Sequence, residues 1–430
     1  MSFGLTALCV TFVVGAVLRI PVVLTMLASG IIYLWASRQD IGLIVDQTLN
    51  NTIGMNALLA VPMFILAANI MNAATISYRL WRAANVLVGR LRGGHGHVTV
   101  LMNVAMSSMT GSAVSEAAGA GMVAIKMMRQ EGKYPGGLAV SVASAASLLG
   151  PVMPPSIPLV LYAVISGASV GALFLAGIVP AFLMALSLSI LISIIARRRN
   201  LPRAAESLDR SKVAVLLEAL VPLTLPMVLL GGIWSGVFTP TEAAAVAAFW
   251  AMLLGVVVYR NINVKAILAI FFESARQSAI VMMLIISSFI INYAITNEGV
   301  AQALAGWISG MQLSSFEFLL IVNIIFLLLG TVLDGAVMLM VFVPVFLPAV
   351  NALGIDLVHF GIVVIINFMV AIISPPYGLV LFVLSSLTKV PMREINREIW
   401  NFCVPLAVVM LILSAFPDIV LFLPHMFGYK

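Results

Sequence analysis

Residues 149–162 read Leu149-Gly150-Pro151-Val152-Met153-Pro154-Pro155-Ser156-Ile157-Pro158-Leu159-Val160-Leu161-Tyr162, and residues 375–382 read Pro375-Pro376-Tyr377-Gly378-Leu379-Val380-Leu381-Phe382. Each stretch sets a proline pair inside a long apolar run. Proline removes an amide donor and disrupts the carbonyl bond four residues back, so each run is a helix broken in the middle. A similar echo precedes each one. Gly111-Ser112 interrupts the apolar region 97–127, and Gly330-Thr331 interrupts 314–350 at nearly the same offset. The order in both halves is an interrupted hairpin, then a Pro-Pro-broken helix. The first hairpin starts and ends in basic sequence, whereas the second starts near Ser314 and ends near Asp356, so the repeat reads as inverted across a membrane plane. Interrupted hydrophobic segments at matching positions of two halves point to a midplane binding site in a transporter.

Composition agrees with burial in lipid. Of 430 residues, 62% are apolar and 9% charged, against roughly 25% charged in a soluble domain. Spans of about 20 apolar residues are expected near 3–18, 21–36, 56–74, 136–165, 167–196, 220–237, 241–259, 277–296, 357–387 and 401–423. The expected fold is therefore an all-α polytopic membrane protein. One inverted repeat covers 1–200 (hairpin 97–127, broken helix 136–165). The other covers 201–430 (hairpin 314–350, broken helix 357–387), with scaffold and moving regions interleaved. The N-terminus opens into apolar sequence without a basic leader or small-residue cleavage site, so no cleavable signal is expected. Cys9 and Cys403 lie near opposite ends and suggest neither a disulfide framework nor a metal site.

Alternating the ten crossings with the N-terminus outside puts every Lys and Arg of the 22 on the cytoplasmic side except Arg38 and Lys430. That set runs from Arg19 through Arg197, Arg198, Arg199 and Arg210 to Arg397. The positive-inside rule selects this orientation, with both termini periplasmic if the cell is Gram-negative. The rule does not separate a re-entrant hairpin from two full crossings. Limb length does: 97–110 and 318–330 would make helices of roughly 21 and 20 Å, short of a core about 30 Å thick. Both interrupted regions are read as re-entrant hairpins, tolerated only when buried in protein or facing water. Segments 75–92, 208–219, 262–275 and 391–400 combine Arg or Lys with apolar residues. They read either as helices in the membrane plane or as basic caps on spanning helices.

The first break, Ser107-Ser108-Met109-Thr110-Gly111-Ser112-Ala113-Val114-Ser115-Glu116, supplies hydroxyls and, at a turn between half-helices, free carbonyls and amides. Carbonyls and hydroxyls suit a hard cation such as Na⁺, and amides at a half-helix N-terminus suit a carboxylate. Small residues also serve close helix packing, so single serines stay open between the two readings. Candidate sodium ligands are Ser108, Thr110, Gly111, Ser112, Gly150, Pro151 and Pro154. In the second half they are Gly330, Thr331, Asp334, Ser374 and Pro375. Candidate substrate contacts are Ser112, Ser156, Thr331 and Asn367. Ionised carboxylates at membrane depth mark function by default, and Asp334 is the sharpest case. Glu116 lies about one turn past the first tip. Glu242 follows Thr239 and reads as part of a helix N-terminal cap. His95, His97, His359 and His425 sit at presumed helix ends, where interfacial roles are expected. The chain has no P-loop and no H-E-x-x-H zinc motif, and no histidine falls mid-span to serve a nucleophile. No cofactor is expected beyond Na⁺ as coupling ion, and nucleic-acid binding does not fit the placement of the charges.

With these pieces in order, the chain resembles the large membrane subunit of tripartite ATP-independent periplasmic (TRAP) transporters along essentially its whole length. The resemblance rests on Gly111-Ser112-Ala113-Val114 and Gly150-Pro151-Val152-Met153-Pro154-Pro155-Ser156. It continues with Phe238-Thr239-Pro240-Thr241-Glu242-Ala243-Ala244-Ala245, Gly330-Thr331-Val332-Leu333-Asp334, and Gly354-Ile355-Asp356 through His359-Phe360-Gly361 to Asn367, Pro375, Pro376 and Gly378. It implies an elevator-type, sodium-driven importer of the ion-transporter superfamily in a bacterial inner membrane. Its implied partners are a small four-helix membrane subunit and a periplasmic substrate-binding protein. The implied cargo is an organic acid such as sialic acid or a C4-dicarboxylate. The family often has Gly and Thr where this chain has Ala371 and Ser374; Ser374 keeps the hydroxyl, and Ala371 adds a methyl near the expected site. The rival readings are a stand-alone sodium–carboxylate symporter without a binding protein and, more remotely, an intramembrane enzyme.

Overall fold

The computed structural model describes residues 2–18, 20–53, 56–74, 76–204, 211–331, 333–376 and 378–429. Arg19, Arg210 and Lys430 of the charge pattern, part of segment 208–219, and Val332 and Tyr377 of the quoted motifs lie outside the described residues. Among those described, all regular structure is helical, as lipid requires of a chain whose backbone groups must be satisfied internally.

Six described helices are long and apolar enough to cross a membrane: Val170–Arg198, Lys212–Trp234, Pro240–Val258, Val264–Asn297, Gly335–Ala352 and Met392–Ala415. A seventh span is possible by length if Ala60–Ala73 and Ile76–Val88, which meet at 69°, act as one. The ten expected crossings are thus built partly from shorter pieces. Phe3–Val17 and Val22–Ala36 have 15 residues each, roughly 22 Å. The two broken crossings come as Gly136–Ser147 with Ile157–Ser166, and Leu357–Ala371 with Leu379–Thr388. The expected crossing at 401–423 ends at Ala415, and a separate short helix, Pro417–Met426, follows.

Of the four basic segments, only Ile76–Val88 forms a helix of its own. The described parts of the other three run without interruption into Lys212–Trp234, Val264–Asn297 and Met392–Ala415, so those residues cap spanning helices. Val264–Asn297, at 34 residues, is about 51 Å long and extends beyond the hydrocarbon core.

The helices fall into two packed groups that meet where Ile76–Val88 and Ala60–Ala73 lie against Gly94–Thr110. Phe3–Val17, Val22–Ala36, Val264–Asn297, Ala60–Ala73, Pro240–Leu253, Lys212–Trp234 and Ile76–Val88 contact one another in that succession. Small residues set the spacing: Ala243, Ala244, Ala247, Ala248 and Ala251 are all buried, which lets backbones approach closely. In the second group, Gly136–Ser147 lies against Met392–Ala415 and Gly94–Thr110, and Val170–Arg198 packs on Met392–Ala415, Pro417–Met426 and Gly94–Thr110. Gly137 is pressed to the backbone there: a Cβ on it would stand 2.5 Å from the Glu394 carbonyl oxygen.

Candidate functional site

The first hairpin limb is Gly94–Thr110, 17 residues rather than the 14 expected, and the returning limb runs continuously over 113–130. The first limb stops because Gly111 adopts φ +61, a left-handed conformation that glycine takes without steric cost. Ser112 is extended and caps the second limb by accepting a bond from the Ser115 amide at 3.4 Å. The tip rests on the first Pro-Pro break: a Cβ on Gly111 would lie 2.7 Å from the Pro155 carbonyl oxygen. Behind the tip, the fully buried Glu116 carboxylate accepts bonds from the hydroxyls of Ser107 at 3.1 Å and of Thr110. A buried carboxylate without such donors would be costly. The same Oε1 that accepts from Thr110 meets Gly150 at the break of the first broken helix. Immediately after Glu116 the helix widens into a π turn, Ala117–Gly121, a feature frequent at functional sites.

The break between Ser147 and Ile157 is held by Ser156. Its hydroxyl donates to the Pro151 carbonyl and accepts from the Leu159 amide at 3.2 Å, capping Ile157–Ser166. The peptide bonds Pro154–Pro155 and Pro375–Pro376 are both cis.

The second hairpin follows the same plan with different chemistry. Ser315–Gly330 starts with a capping box between Ser314 and Glu317. The returning limb, Gly335–Ala352, is capped by the Asp334 carboxylate, which accepts from the Ala336 amide at 2.9 Å. It too contains a π turn, Met338–Phe342. Gly330 packs on the second broken helix, where a Cβ would stand 2.7 Å from the Ala371 Cβ. Gly335 lies against the Phe368 ring so tightly that any side chain would overlap it.

These interruptions converge. Thr110, Gly111, Ser112, Ala113, Val114 and Ser115 of the first hairpin line a cavity of about 640 Å³ together with Pro151, Ile157, Pro158 and Leu161 of the first broken helix. Asp334, Ala336, Val337 and Leu339 of the second hairpin and Phe368, Met369, Ile372 and Leu379 of the second broken helix complete that side. The opposite wall comes from the other helix group: Pro21, Val22, Val23, Ile65, Ala68, Asn69, Gln277, Ile280, Val281 and Leu284. Asp334 is the one charged residue among the described lining residues, and it is exposed to this space.

The structure therefore places Thr110, Gly111, Ser112, Pro151 and Asp334 on the cavity, and the other candidates are not among its described lining residues. The Ser108 hydroxyl turns back to the Ala105 carbonyl at 2.7 Å, and Thr331 does the same to Leu328 at 2.8 Å. Ser374 donates to the Val370 carbonyl at 2.7 Å. Gly150, Gly330 and Ser156 hold the breaks in place, and Pro154 and Pro375 sit in the two cis pairs. Asn367 is fully buried away from the lining. Its amide donates to the Asn323 carbonyl and side-chain oxygens at 2.8 and 3.0 Å, and Asn323 donates in turn to Ser414 at 2.9 Å. That network ties hairpin, broken helix and Met392–Ala415 together. Glu242 does form a capping box with Thr239. Three of the four histidines are buried within the protein near helix starts: His95 faces Glu131 at 3.4 Å, His97 faces Ser193 at 3.2 Å, and His359 faces the Leu413 carbonyl at 2.8 Å.

Two polar residues on the cavity escaped the sequence reading. Asn69 donates to Ser274 at 2.9 Å and to Gln277 at 3.1 Å, and both Asn69 and Gln277 line the cavity. The available signal was an amide inside an apolar span, which is expensive in lipid and turns inward. Their neighbour Asn72 reaches across to the Ser115 hydroxyl at 2.8 Å, bonding one helix group to the other.

Long apolar helices enclosing a polar-tipped cavity define a multi-pass membrane permease. The chain belongs to the family described as "Tripartite ATP-independent periplasmic transporter, DctM component", whose profile matches residues 9–419. It is thus a transporter subunit of the inner membrane, not an enzyme. It is 37% identical over 373 residues to the sialic acid TRAP transporter large permease protein SiaM of Vibrio cholerae, covering 86% of this chain and 87% of that protein. It is 36% identical over 371 residues to the C4-dicarboxylate TRAP transporter large permease protein DctM of Pseudomonas aeruginosa, with the same coverage of each. Among solved structures, the YdaH transporter of Alcanivorax borkumensis superposes with a TM-score of 0.63 at 16% identity, covering 87% of this chain and 88% of that one. That likeness concerns the fold alone.

Proposed function

We propose that this subunit imports a small organic carboxylate by sodium-coupled secondary transport. Sialic acid and C4-dicarboxylates, named for its relatives, define the cargo class. The observation that carries the reading is the convergence of two hairpin tips and two proline breaks on one cavity whose only described charge is the Asp334 carboxylate. An anion alone would be repelled there. Two like charges about 5 Å apart at an effective dielectric near 20 cost on the order of 3 kcal/mol. A cation held by Asp334, by the Thr110 and Ser112 hydroxyls and by the free carbonyls at the breaks offsets that repulsion. The capped N-termini at Ser112, Ser156 and Asp334 then direct positive dipole ends toward the carboxylate.

In this reading the two hairpins are re-entrant and the two halves are inverted repeats. The group containing hairpins, broken helices, Val170–Arg198 and Met392–Ala415 slides as an elevator against the group built on Val264–Asn297. A small membrane subunit and a periplasmic binding protein complete the transporter, as membership of the family implies. The basic loops face the cytoplasm and both ends face the periplasm.

Uptake into proteoliposomes containing this chain and the small subunit, with binding protein added outside, tests it. Uptake is expected only with an inward sodium gradient and binding protein. Uptake by this chain alone makes it a stand-alone symporter, and uptake without sodium removes the coupling.

A further inference from the structure

We infer that the arginine-rich end of Val170–Arg198 carries a binding site for the phosphate of an anionic membrane phospholipid. A pocket of about 440 Å³ is lined by Leu91, Arg92, Ser193, Arg197 and Arg203. Its frame is built by backbone bonds. Gly93 donates to the Pro202 carbonyl at 3.1 Å and Ala204 to the Gly89 carbonyl at 3.0 Å, so the segments bearing Arg92 and Arg203 are stitched together. Leu201 donates to the Ala196 carbonyl at 3.0 Å and folds that segment back over the helix end. Gly93 packs on Ala196, where a Cβ would stand 2.6 Å from the alanine methyl. Ser193 is fixed by its contact with His97 at 3.2 Å.

The three guanidinium groups are exposed, and among the described residues none has a carboxylate partner. The contrast is Arg199, two residues along the same chain, which makes a two-pronged pair with Glu398 at 2.9 Å per bond. Three forked donors around one pocket match the oxygens of a phosphodiester.

A second observation makes that phosphate a lipid's. Phe182, Leu186, Ile190 and Ile194 are 53%, 56%, 54% and 44% exposed at four-residue spacing on the same helix. The stripe is about 18 Å long, close to one leaflet of a core about 30 Å thick, and it ends one turn before Arg197. An acyl chain lying on the stripe carries its headgroup into the pocket. Basic pockets between spanning helices at the membrane surface hold anionic headgroups in this way.

The test is titration of the purified full chain in detergent with phosphatidylglycerol and with phosphatidylethanolamine, read by native mass spectrometry. Wild type is compared with Arg92→Gln/Arg197→Gln/Arg203→Gln and with a charge-matched control, Arg38→Gln/Lys265→Gln/Arg393→Gln. Size exclusion and melting confirm that both fold; if the triple variant fails, the single Arg197→Gln and Arg203→Gln variants replace it. The pocket variant is expected to bind phosphatidylglycerol roughly 10- to 100-fold more weakly, with the control and phosphatidylethanolamine unchanged. Equal loss in both variants would show diffuse attraction, and equal retention would show no site; either overturns the proposal. Displacement of the lipid by millimolar inorganic phosphate would make it a free-anion pocket and overturn the lipid assignment.

Discussion

The carboxylate of Glu116 faces Gly150 so closely that a methyl group on the glycine would stand 2.5 Å from its Oε1. The contact joins the returning limb of the first hairpin to the first broken helix. Since Ser107 and Thr110 bind the same carboxylate, one side chain sets the spacing of three chain segments. Gly150→Ala forces that spacing open. Overpacking of this kind costs about 1–3 kcal/mol, so the variant is expected to melt earlier and to lose most uptake. Wild-type melting and uptake would show that the contact has slack.

Asp334 both caps Gly335–Ala352 and faces the cavity. Asparagine caps as well as aspartate, so Asp334→Asn separates the two roles. The melting temperature should hold, while half-saturating sodium rises several-fold. Asp334→Ala should add a cap loss of about 1 kcal/mol. An Asn variant with an unchanged sodium titration removes this carboxylate from the cation site.

Ser112 is a weaker case, because its hydroxyl caps the hairpin at 3.4 Å. Ser112→Ala is expected to cost about 1 kcal/mol at most and to weaken sodium dependence more than that cap loss explains. Normal sodium dependence in a slightly destabilised protein would assign it to capping alone.

Asn367→Ala leaves the buried Asn323 groups without their partner. The expected loss is about 1–3 kcal/mol of stability, with the substrate KM of the surviving protein unchanged. A raised KM at unchanged stability would put Asn367 back in the substrate site.

Gln277→Ala is expected to behave in the opposite way, because Gln277 lines the cavity from the wall opposite the hairpins. The substrate KM should rise while stability stays within about 1 kcal/mol. An unaffected KM would make the amide a packing residue only.

The breaks were legible because their causes are local. Gly111 and the two Pro-Pro pairs interrupt helices through their own backbones, and Thr239 with Glu242 spells a capping box within four residues. Asp334 stood out because a charge in an apolar region is expensive. What the sequence withheld is long-range. Nothing in the spacing of Asn367 tells that it meets Asn323, 44 positions away, or that Asn69 finds Gln277 across 208 positions. Hydropathy alone runs through 357–387 as one crossing, and it was the local Pro375-Pro376 pair that marked the break found between Leu357–Ala371 and Leu379–Thr388. Hydropathy also set the basic starts of Val264–Asn297 and Met392–Ala415 apart from the helices they begin, since charge lowers the average while leaving helix propensity intact.

The wall opposite the hairpins is mostly aliphatic, with Val22, Val23, Ile65, Ile280, Val281 and Leu284 around the Asn69–Gln277 pair. Such a wall discriminates little: a methylene more or less in an apolar pocket is worth only about 1–3 kcal/mol. It is also separable from the hairpin tips, being carried on different helices. In the transport reading proposed above, cargo preference would therefore shift by aliphatic exchanges on this wall while the residues proposed to hold the cation stay fixed, so a single energising apparatus would serve different acids.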